Sequence, residues 1–109
     1  MPSDALHFGL KKTTIDQINS VFSSYPEIET ALLYGSRAMG NYRNGSDIDI
    51  TLLGDALTYH QLNRIETQLD ELLLPYTIDL SLFKLIDNPN LIRHINQVGK
   101  VFYCNAKLI

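Results

Sequence analysis

Two carboxylates separated by a single residue are the feature of this sequence best suited to chemistry. Asp47 and Asp49 alternate with aliphatic residues in the segment 47–53, a period of two that predicts a β-strand with both carboxylates and Thr51 on one face. Alpha carbons two positions apart on a strand are separated by roughly 6.6 Å, so these side chains can converge on one divalent cation or bridge two. Oxygen ligands favour a hard cation, Mg²⁺ before Ca²⁺. A solvated strand face is the alternative explanation for this pattern taken alone.

A glycine-containing loop, 35–46, follows a predicted buried strand at 28–34. Gly35 lets the backbone approach a phosphate with no Cβ in the way, and Ser36 adds a hydroxyl donor. Arg37 can pair with phosphate oxygens. The loop has neither the Lys-Ser/Thr ending of a P-loop nor the glycine spacing of a dinucleotide site. A plain turn is the alternative explanation for this loop.

A third carboxylate, Asp79, lies in the middle of an aliphatic segment, 77–83, which is predicted to be another strand. A charge at such a position is costly unless it is paired or binds a metal. If this strand lies beside 47–53, Asp79 can join Asp47 and Asp49 in one site. A solvent-facing or helix-capping aspartate is the alternative.

Three amphipathic helices are predicted around these strands, because apolar residues recur at helical spacing between recognisable start and stop signals. The signals are a capping box of Thr14 with Gln17 and a stop at Tyr25-Pro26 for the first helix, a capping box of Thr58 with Gln61 and a stop at Pro75 for the second, and an Asn88 cap, Pro89 and a terminal Gly99 for the third. A short last strand is predicted at 101–103. This order predicts an α/β (α+β) fold in which helices pack against a small central mixed sheet.

The length and composition limit the classes of protein and partner. With 109 residues, we expect a single domain over 1–109. The formal charge of −3 gives no positive surface for wrapping a nucleic acid, so direct nucleic-acid binding is not expected. The segment 1–10 has no signal-peptide pattern, and no apolar run approaches the roughly 20 residues needed to span a bilayer. We therefore expect a soluble cytoplasmic protein.

The remaining candidate residues are assigned structural roles. Cys104 is interpreted as a small buried apolar residue rather than as a reactive thiol, and as the single cysteine it cannot form an internal disulfide. His7, His60 and His94 have no metal-ligand spacing, and surface or capping roles are favoured for them. The many tyrosines are interpreted as aromatic residues at the edge of the core.

The combination of Gly35-Ser36, Gly40, Ser46-Asp47-Ile48-Asp49 and a distant Asp79 resembles the DNA polymerase β-type nucleotidyltransferase superfamily. The short chain resembles its minimal nucleotidyltransferase members over nearly the whole length. The resemblance implies the nucleotidyltransferase fold. It implies that Asp47 and Asp49 bind two Mg²⁺ ions, with Mn²⁺ as an alternative. It implies that Asp79, the third carboxylate of the metal site, activates the attacking hydroxyl. It also implies that the nucleotide is bound by Gly35, Ser36, Arg37 and Ser46.

The resemblance also implies a partner, because minimal members are commonly encoded beside a helical HEPN-type protein. The expected function is Mg²⁺-dependent transfer of a nucleoside monophosphate, AMP, from ATP to an acceptor, in a two-component nucleotidyltransferase or a toxin–antitoxin pair. The few predicted elements leave no acceptor-binding domain, so a second protein or another copy of this chain is expected to complete the cleft. Tyr42 and the segment after Pro75 are candidates for the apolar patch that such a partner would bury.

Two other functions remain open at this stage. A non-catalytic antitoxin could neutralise a helical partner by contact alone. Metal-dependent hydrolysis of phosphate esters uses similar carboxylates, but it does not need the Gly35-Ser36 loop, and we rank it last.

Overall fold

The strands of the computed structural model form one mixed sheet, and the structure describes residues 7–105. Residues 1–6 and 106–109 lie outside the described residues, as does most of the segment in which no signal peptide is predicted. The strands follow the order β3-β2-β1-β4 across the sheet. Their bounds are Thr30–Tyr34 for β1, Ile48–Leu53 for β2, Ile78–Leu82 for β3 and Lys100–Cys104 for β4. Each strand overlaps its predicted segment within about two residues, and the predicted mixed sheet is confirmed.

Strand direction brings the predicted site segments together. β1 is antiparallel to β2 and to β4, so the chain turns sharply through the loop that joins β1 to β2. β2 and β3 are parallel, with Asp49 opposite Asp79 and Thr51 opposite Ser81. The expectation that the third strand lies beside the second is therefore confirmed. The chain can run in parallel there because the connection contains a helix, as a parallel crossover requires.

Within residues 7–105, four α-helices pack on this sheet, one more than the sequence predicts. Their bounds are Lys12–Phe22 for α1, Ser36–Met39 for α2, Tyr59–Asp70 for α3 and Pro89–Val98 for α4, and a 3-10 turn covers Phe83–Leu85. The additional helix, α2, is one turn inside the predicted loop. A helix of one turn is too short to show an apolar periodicity in the sequence, which explains why it is not predicted. None of the helices within the described residues is long and apolar enough to cross a membrane.

The predicted caps form at the starts of α3 and α4 but not at the start of α1. The Thr58–Gln61 capping box forms on both sides, and the Asn88 side chain accepts from the first amides of α4. The predicted Thr14–Gln17 box is wrong, because the N-cap of α1 is Lys11, three residues before Thr14, and no side chain caps the helix. The Thr14 side chain is instead buried inside the first turn.

The main core lies between the sheet and the helices α1 and α3. It contains the inward face of β2, Ile48, Ile50 and Leu52, all essentially inaccessible to solvent. Because side chains alternate along a strand, burying this face turns Asp49 and Thr51 to the opposite side. α4 contacts β1, and its Ile95 is buried outside the main core cluster. The hydrophobic face of β2 therefore fixes which side of the sheet carries the carboxylates.

Candidate active site

The three aspartates meet at the end of the sheet where β1 leaves and β2 enters. Asp49 lies directly opposite Asp79 on the parallel neighbour and opposite Tyr34 on the antiparallel one. Asp47 comes just before β2, and both it and Asp79 are exposed, whereas Asp49 is half-buried. The structure thus brings all three predicted carboxylates to one place, on the face of the sheet away from the main core.

Repulsion between these carboxylates is visible in the electrostatics of Asp49. Its pKa is raised above the ordinary aspartate value, first by burial and then by the negative charges of Asp79 and Asp47. A bound cation would stabilise a site of this kind, because it offsets both the repulsion between the carboxylates and their lost hydration.

The backbone of Gly35 lies directly against the Asp49 carboxylate. Gly35 has φ +75°, a conformation that favours glycine, and a Cβ at this position would collide with Asp49 Oδ2. Ser36 follows as the first residue of α2 and is half-buried. The predicted loop residue Gly35 is therefore in contact with the predicted carboxylate of Asp49, which sequence spacing alone could not establish.

A layer of hydroxyl groups lies below the carboxylates. Ser81 Oγ donates to Thr51 Oγ1 over 2.9 Å, and Thr51 is fully buried. Tyr34 is also buried, its side chain hydrogen-bonds to Ser81, and its pKa is raised, first by burial and also by the charges of Asp79 and Asp49. The phenol is therefore protonated beside the carboxylates, where a further anion would be unfavourable. The prediction that tyrosines only edge the core misses this role of Tyr34.

Arg37 has a different position from the one predicted. It is 2% exposed, and its guanidinium donates to the carbonyl oxygen of Phe8 over 2.9 Å, of Ser46 over 3.1 Å from Nε and 3.0 Å from Nη2, and of Asn44 over 3.2 Å. These bonds point the guanidinium into the protein. The placement does not support the predicted contact of Arg37 with phosphate; it indicates that Arg37 holds the loop before β2.

Two aromatic rings complete the surroundings of this arginine. The Arg37 Cζ atom lies 5.2 Å from the centre of the Tyr42 ring and 5.0 Å from that of Tyr76, within range of cation–π attraction. Both rings are half-buried, so Tyr42 and the segment after Pro75 offer less free apolar surface than predicted. Met39, at the end of α2, is half exposed, and it lies nearer to Ser36 along the chain than Tyr42 or the segment after Pro75 does.

Ser46 contributes to the shape of the same loop. Its Oγ accepts from the Arg43 amide over 2.8 Å, and its carbonyl oxygen accepts from Arg37. These bonds close a turn that ends one residue before Asp47. The predicted contact of Ser46 with nucleotide stays a prediction, and the structure supplies a positioning role beside it.

His94, for which a surface or capping role is predicted, reaches the site from α4. Its Nε2 accepts from the Gly35 amide over 3.1 Å, and its ring meets that of Tyr34 edge-on, with 6.1 Å between ring centres. Cys104, by contrast, is exposed rather than buried as predicted, because it lies near the end of the edge strand β4.

The donor set fits a hard divalent cation in kind. Three carboxylates, two of them exposed, supply the oxygen ligands that Mg²⁺ prefers, and the raised pKa of Asp49 indicates that negative charge there is not compensated. Within residues 7–105, no group of three or more His, Cys, Asp and Glu side chains is already arranged to hold a metal ion. Asp47 and Asp49 would hold such an ion after side-chain rotation.

Comparison with known proteins identifies a family. The family model described as Polymerase beta, Nucleotidyltransferase matches residues 16–108 of this chain. No curated protein sequence matches the chain significantly. The site lies inside the matched range.

Solved structures share the fold at low sequence identity. A toxin–antitoxin structure with AMP-PNP is 22% identical, covers 85% of this chain and 75% of its own, and has a TM-score of 0.66. The MntA-HepT toxin–antitoxin is 19% identical, with coverage of 89% and 75% and a TM-score of 0.63. A structure of a tri-AMPylated HEPN toxin of Shewanella oneidensis in complex with an MNT antitoxin is 19% identical. It covers 88% of this chain and 74% of its own, with a TM-score of 0.62.

Removing the charge of Asp49 should stabilise the ligand-free fold. Because the pKa of Asp49 is raised on folding, the folded state binds this proton more tightly than the unfolded state. Stability is therefore lost as the pH rises from the ordinary aspartate pKa through the raised value. We expect Asp49→Asn to melt at a higher temperature than the wild type at neutral pH, with a smaller difference at acidic pH.

The matched control for this measurement is Asp55→Asn, which changes an exposed aspartate outside the site. It should shift the melting temperature little at either pH. Equal melting curves for Asp49→Asn and the wild type at both pH values would contradict the repulsion inferred here.

Gly35 and Gly40 provide a second test, because both have positive φ but different surroundings. A Cβ at Gly40 meets nothing within 4 Å, so Gly40→Ala should cost only the left-handed conformation, about 1–2 kcal/mol. Gly35→Ala adds a collision with Asp49 and should cost more, as measured by urea denaturation. Equal losses of stability would show that the Gly35 backbone does not press on the carboxylate.

Proposed function

This chain belongs to the polymerase beta nucleotidyltransferase family, and from that premise we propose that it transfers AMP from ATP to a hydroxyl group of an acceptor. The observation that carries the proposal is the meeting of Asp47, Asp49 and Asp79 beside the Gly35 backbone. Three carboxylates held together at a cost in free energy are explained by a bound cation and a triphosphate.

Asp47 and Asp49 are the residues that would hold Mg²⁺, with Mn²⁺ as an alternative, and two ions are expected in the complete complex. The bound metal supplies positive charge that offsets the charge of the triphosphate. Asp49 gains most from this because its carboxylate is the one whose pKa is raised by burial and by its neighbours. Tyr34 and the buried hydroxyl layer of Ser81 and Thr51 keep the protein side of the site neutral.

The loop residues bind and orient the triphosphate. Gly35 leaves room for close approach, and Ser36 adds a hydroxyl donor one residue further along the chain. Arg37 and Ser46 act behind them, since their mutual hydrogen bonds fix the turn that leads into Asp47. Orientation of this kind supplies a large part of the rate in phosphoryl and nucleotidyl transfer, where the protein has little covalent chemistry to perform.

The transfer itself is an in-line displacement. The acceptor oxygen forms a bond to the α-phosphorus, and the bond from that phosphorus to the bridging oxygen of pyrophosphate breaks. Asp79 would accept the proton of the attacking hydroxyl, a role supported by its exposure and by its position opposite Asp49. Pyrophosphate leaves with the electron pair of the broken bond.

The acceptor is proposed to belong to a helical HEPN-type protein. The AMPylated toxin and the other toxin–antitoxin complexes that share this fold motivate this choice. The site lies open at the end of the sheet, with Asp47 and Asp79 exposed, so a partner can present a hydroxyl directly to it. The formal charge of −3 remains unfavourable for a nucleic-acid acceptor.

Mg²⁺ with a non-hydrolysable ATP analogue should raise the melting temperature of the wild-type chain. Ligands that bind only the folded state stabilise it by mass action, by about 2.7 kcal/mol at a hundredfold excess over the dissociation constant. Asp49→Asn should show little ligand-dependent shift, although its ligand-free fold is the more stable. Equal ligand-dependent shifts in the two proteins, or none in the wild type, would contradict a metal–nucleotide site at Asp49.

Incubation with labelled ATP, Mg²⁺ and the product of the adjacent gene tests the reaction. We expect mass spectrometry to detect AMP on the partner protein, and Asp47→Asn/Asp49→Asn to abolish the modification. If that double variant still neutralises the partner as well as the wild type does, the chain acts by contact alone. Release of free AMP or ADP without transfer would instead favour hydrolysis.

A further inference from the structure

His94 occupies a position on α4 that calls for an explanation. It is spaced three residues after Leu91, one before Ile95 and four before Val98, which places it on the apolar side of the helix. It is half-buried rather than exposed. A histidine on such a face needs a partner for its ring nitrogens, because leaving a buried polar group unpaired costs free energy.

The partner is the backbone of the site itself. The Gly35 amide donates to His94 Nε2 over 3.1 Å, between residues 59 positions apart in the chain. To accept this bond Nε2 must be unprotonated, so the ring proton of the neutral form is on Nδ1. The edge-on contact with the Tyr34 ring restricts the plane of the imidazole.

Gly35 needs a restraint on its backbone from outside the residue. It must be glycine, because a Cβ would collide with the Asp49 carboxylate, and glycine is the residue with the greatest backbone freedom. Because glycine has no side chain, no side-chain contact of Gly35 itself can hold its φ of +75°. A hydrogen bond to the Gly35 amide fixes the peptide plane that leads into Ser36.

We propose that His94 is a positioning residue for nucleotide binding, which holds the Gly35-Ser36 backbone against Asp49 through its hydrogen bond to the Gly35 amide. This inference rests on the proposed function and deepens it. His94 touches neither the metal nor the phosphates in this account. It keeps the loop in the conformation that the triphosphate requires, so that little ordering remains to be done on binding.

Two substitutions separate the hydrogen bond from packing. His94→Phe keeps an aromatic ring against Tyr34 but offers no acceptor, whereas His94→Gln keeps a side-chain acceptor for the Gly35 amide. His60→Phe is the matched control, because His60 is exposed on α3. The probe is AMP-PNP with Mg²⁺, and its affinity is measured by calorimetry on the full chain.

We expect His94→Phe to weaken AMP-PNP binding about tenfold and His94→Gln by less than about threefold, since an unpaired amide costs more than an imperfect bond. His60→Phe should bind as the wild type does. In the ligand-free wild type, NMR should detect a coupling across the hydrogen bond between the nitrogen nuclei of Gly35 and His94 Nε2. The coupling and the His94→Gln affinity provide the test even if His94→Phe does not fold.

Absence of the coupling would overturn the inference, as would equal affinities of His94→Phe and the wild type. Equal weakening by His94→Phe and His94→Gln would do so as well, because it would indicate ring packing rather than the hydrogen bond. A wild type that shows the coupling but binds no Mg²⁺–AMP-PNP would overturn the proposed function and this role with it. The two failures are therefore distinguishable.

Discussion

The partial burial of Asp49 beside two other carboxylates is the constraint on which the arrangement of this site depends. Asp49 is drawn partly out of water beside Asp79 and Asp47, and its pKa is raised as a result. The buried face of β2 enforces this, because Ile48 and Ile50 fix the register and leave Asp49 no other direction. Burial of the core thereby offsets the cost of holding the carboxylates together, and a bound cation would reduce the repulsion between them.

Two polar side chains support this arrangement: Arg37, which is buried, and His94, which is half-buried. Arg37 binds the carbonyl oxygens of the loop and of Phe8, and so fixes the approach to Asp47. His94 binds the amide of Gly35 from α4. The resulting site has hydrogen-bonded backbone around the carboxylates and exposes Asp47 and Asp79, a combination that suits an enzyme whose acceptor belongs to another protein.

Much of this arrangement could be predicted from the sequence because its signals are local. The alternation around Asp47 and Asp49 and the lone Asp79 in an aliphatic run predict strands with polar and apolar faces, and these strands do lie side by side. Thr58 with Gln61 predicts a helix start that forms. Thr14 with Gln17 has the same spacing but no box, because tertiary packing buries Thr14.

The rest could not be predicted because it depends on contacts distant in sequence. Arg37 beside Gly35-Ser36 suggests a phosphate ligand, and only the fold shows that the carbonyl oxygens of Phe8 and Ser46 occupy the guanidinium. His94 did carry a signal, since it interrupts the apolar face of α4, but the sequence cannot say that Gly35 is its partner. The roles proposed for the site residues in binding and transfer stay predictions.

Anomalous diffraction from crystals grown with Mn²⁺ and AMP-PNP tests the central claim most directly. The account predicts a manganese peak within coordination distance of carboxylate oxygens of Asp47 and Asp49, with the triphosphate lying along Gly35 and Ser36. Manganese elsewhere on the protein, or a nucleotide bound away from these aspartates, would contradict it.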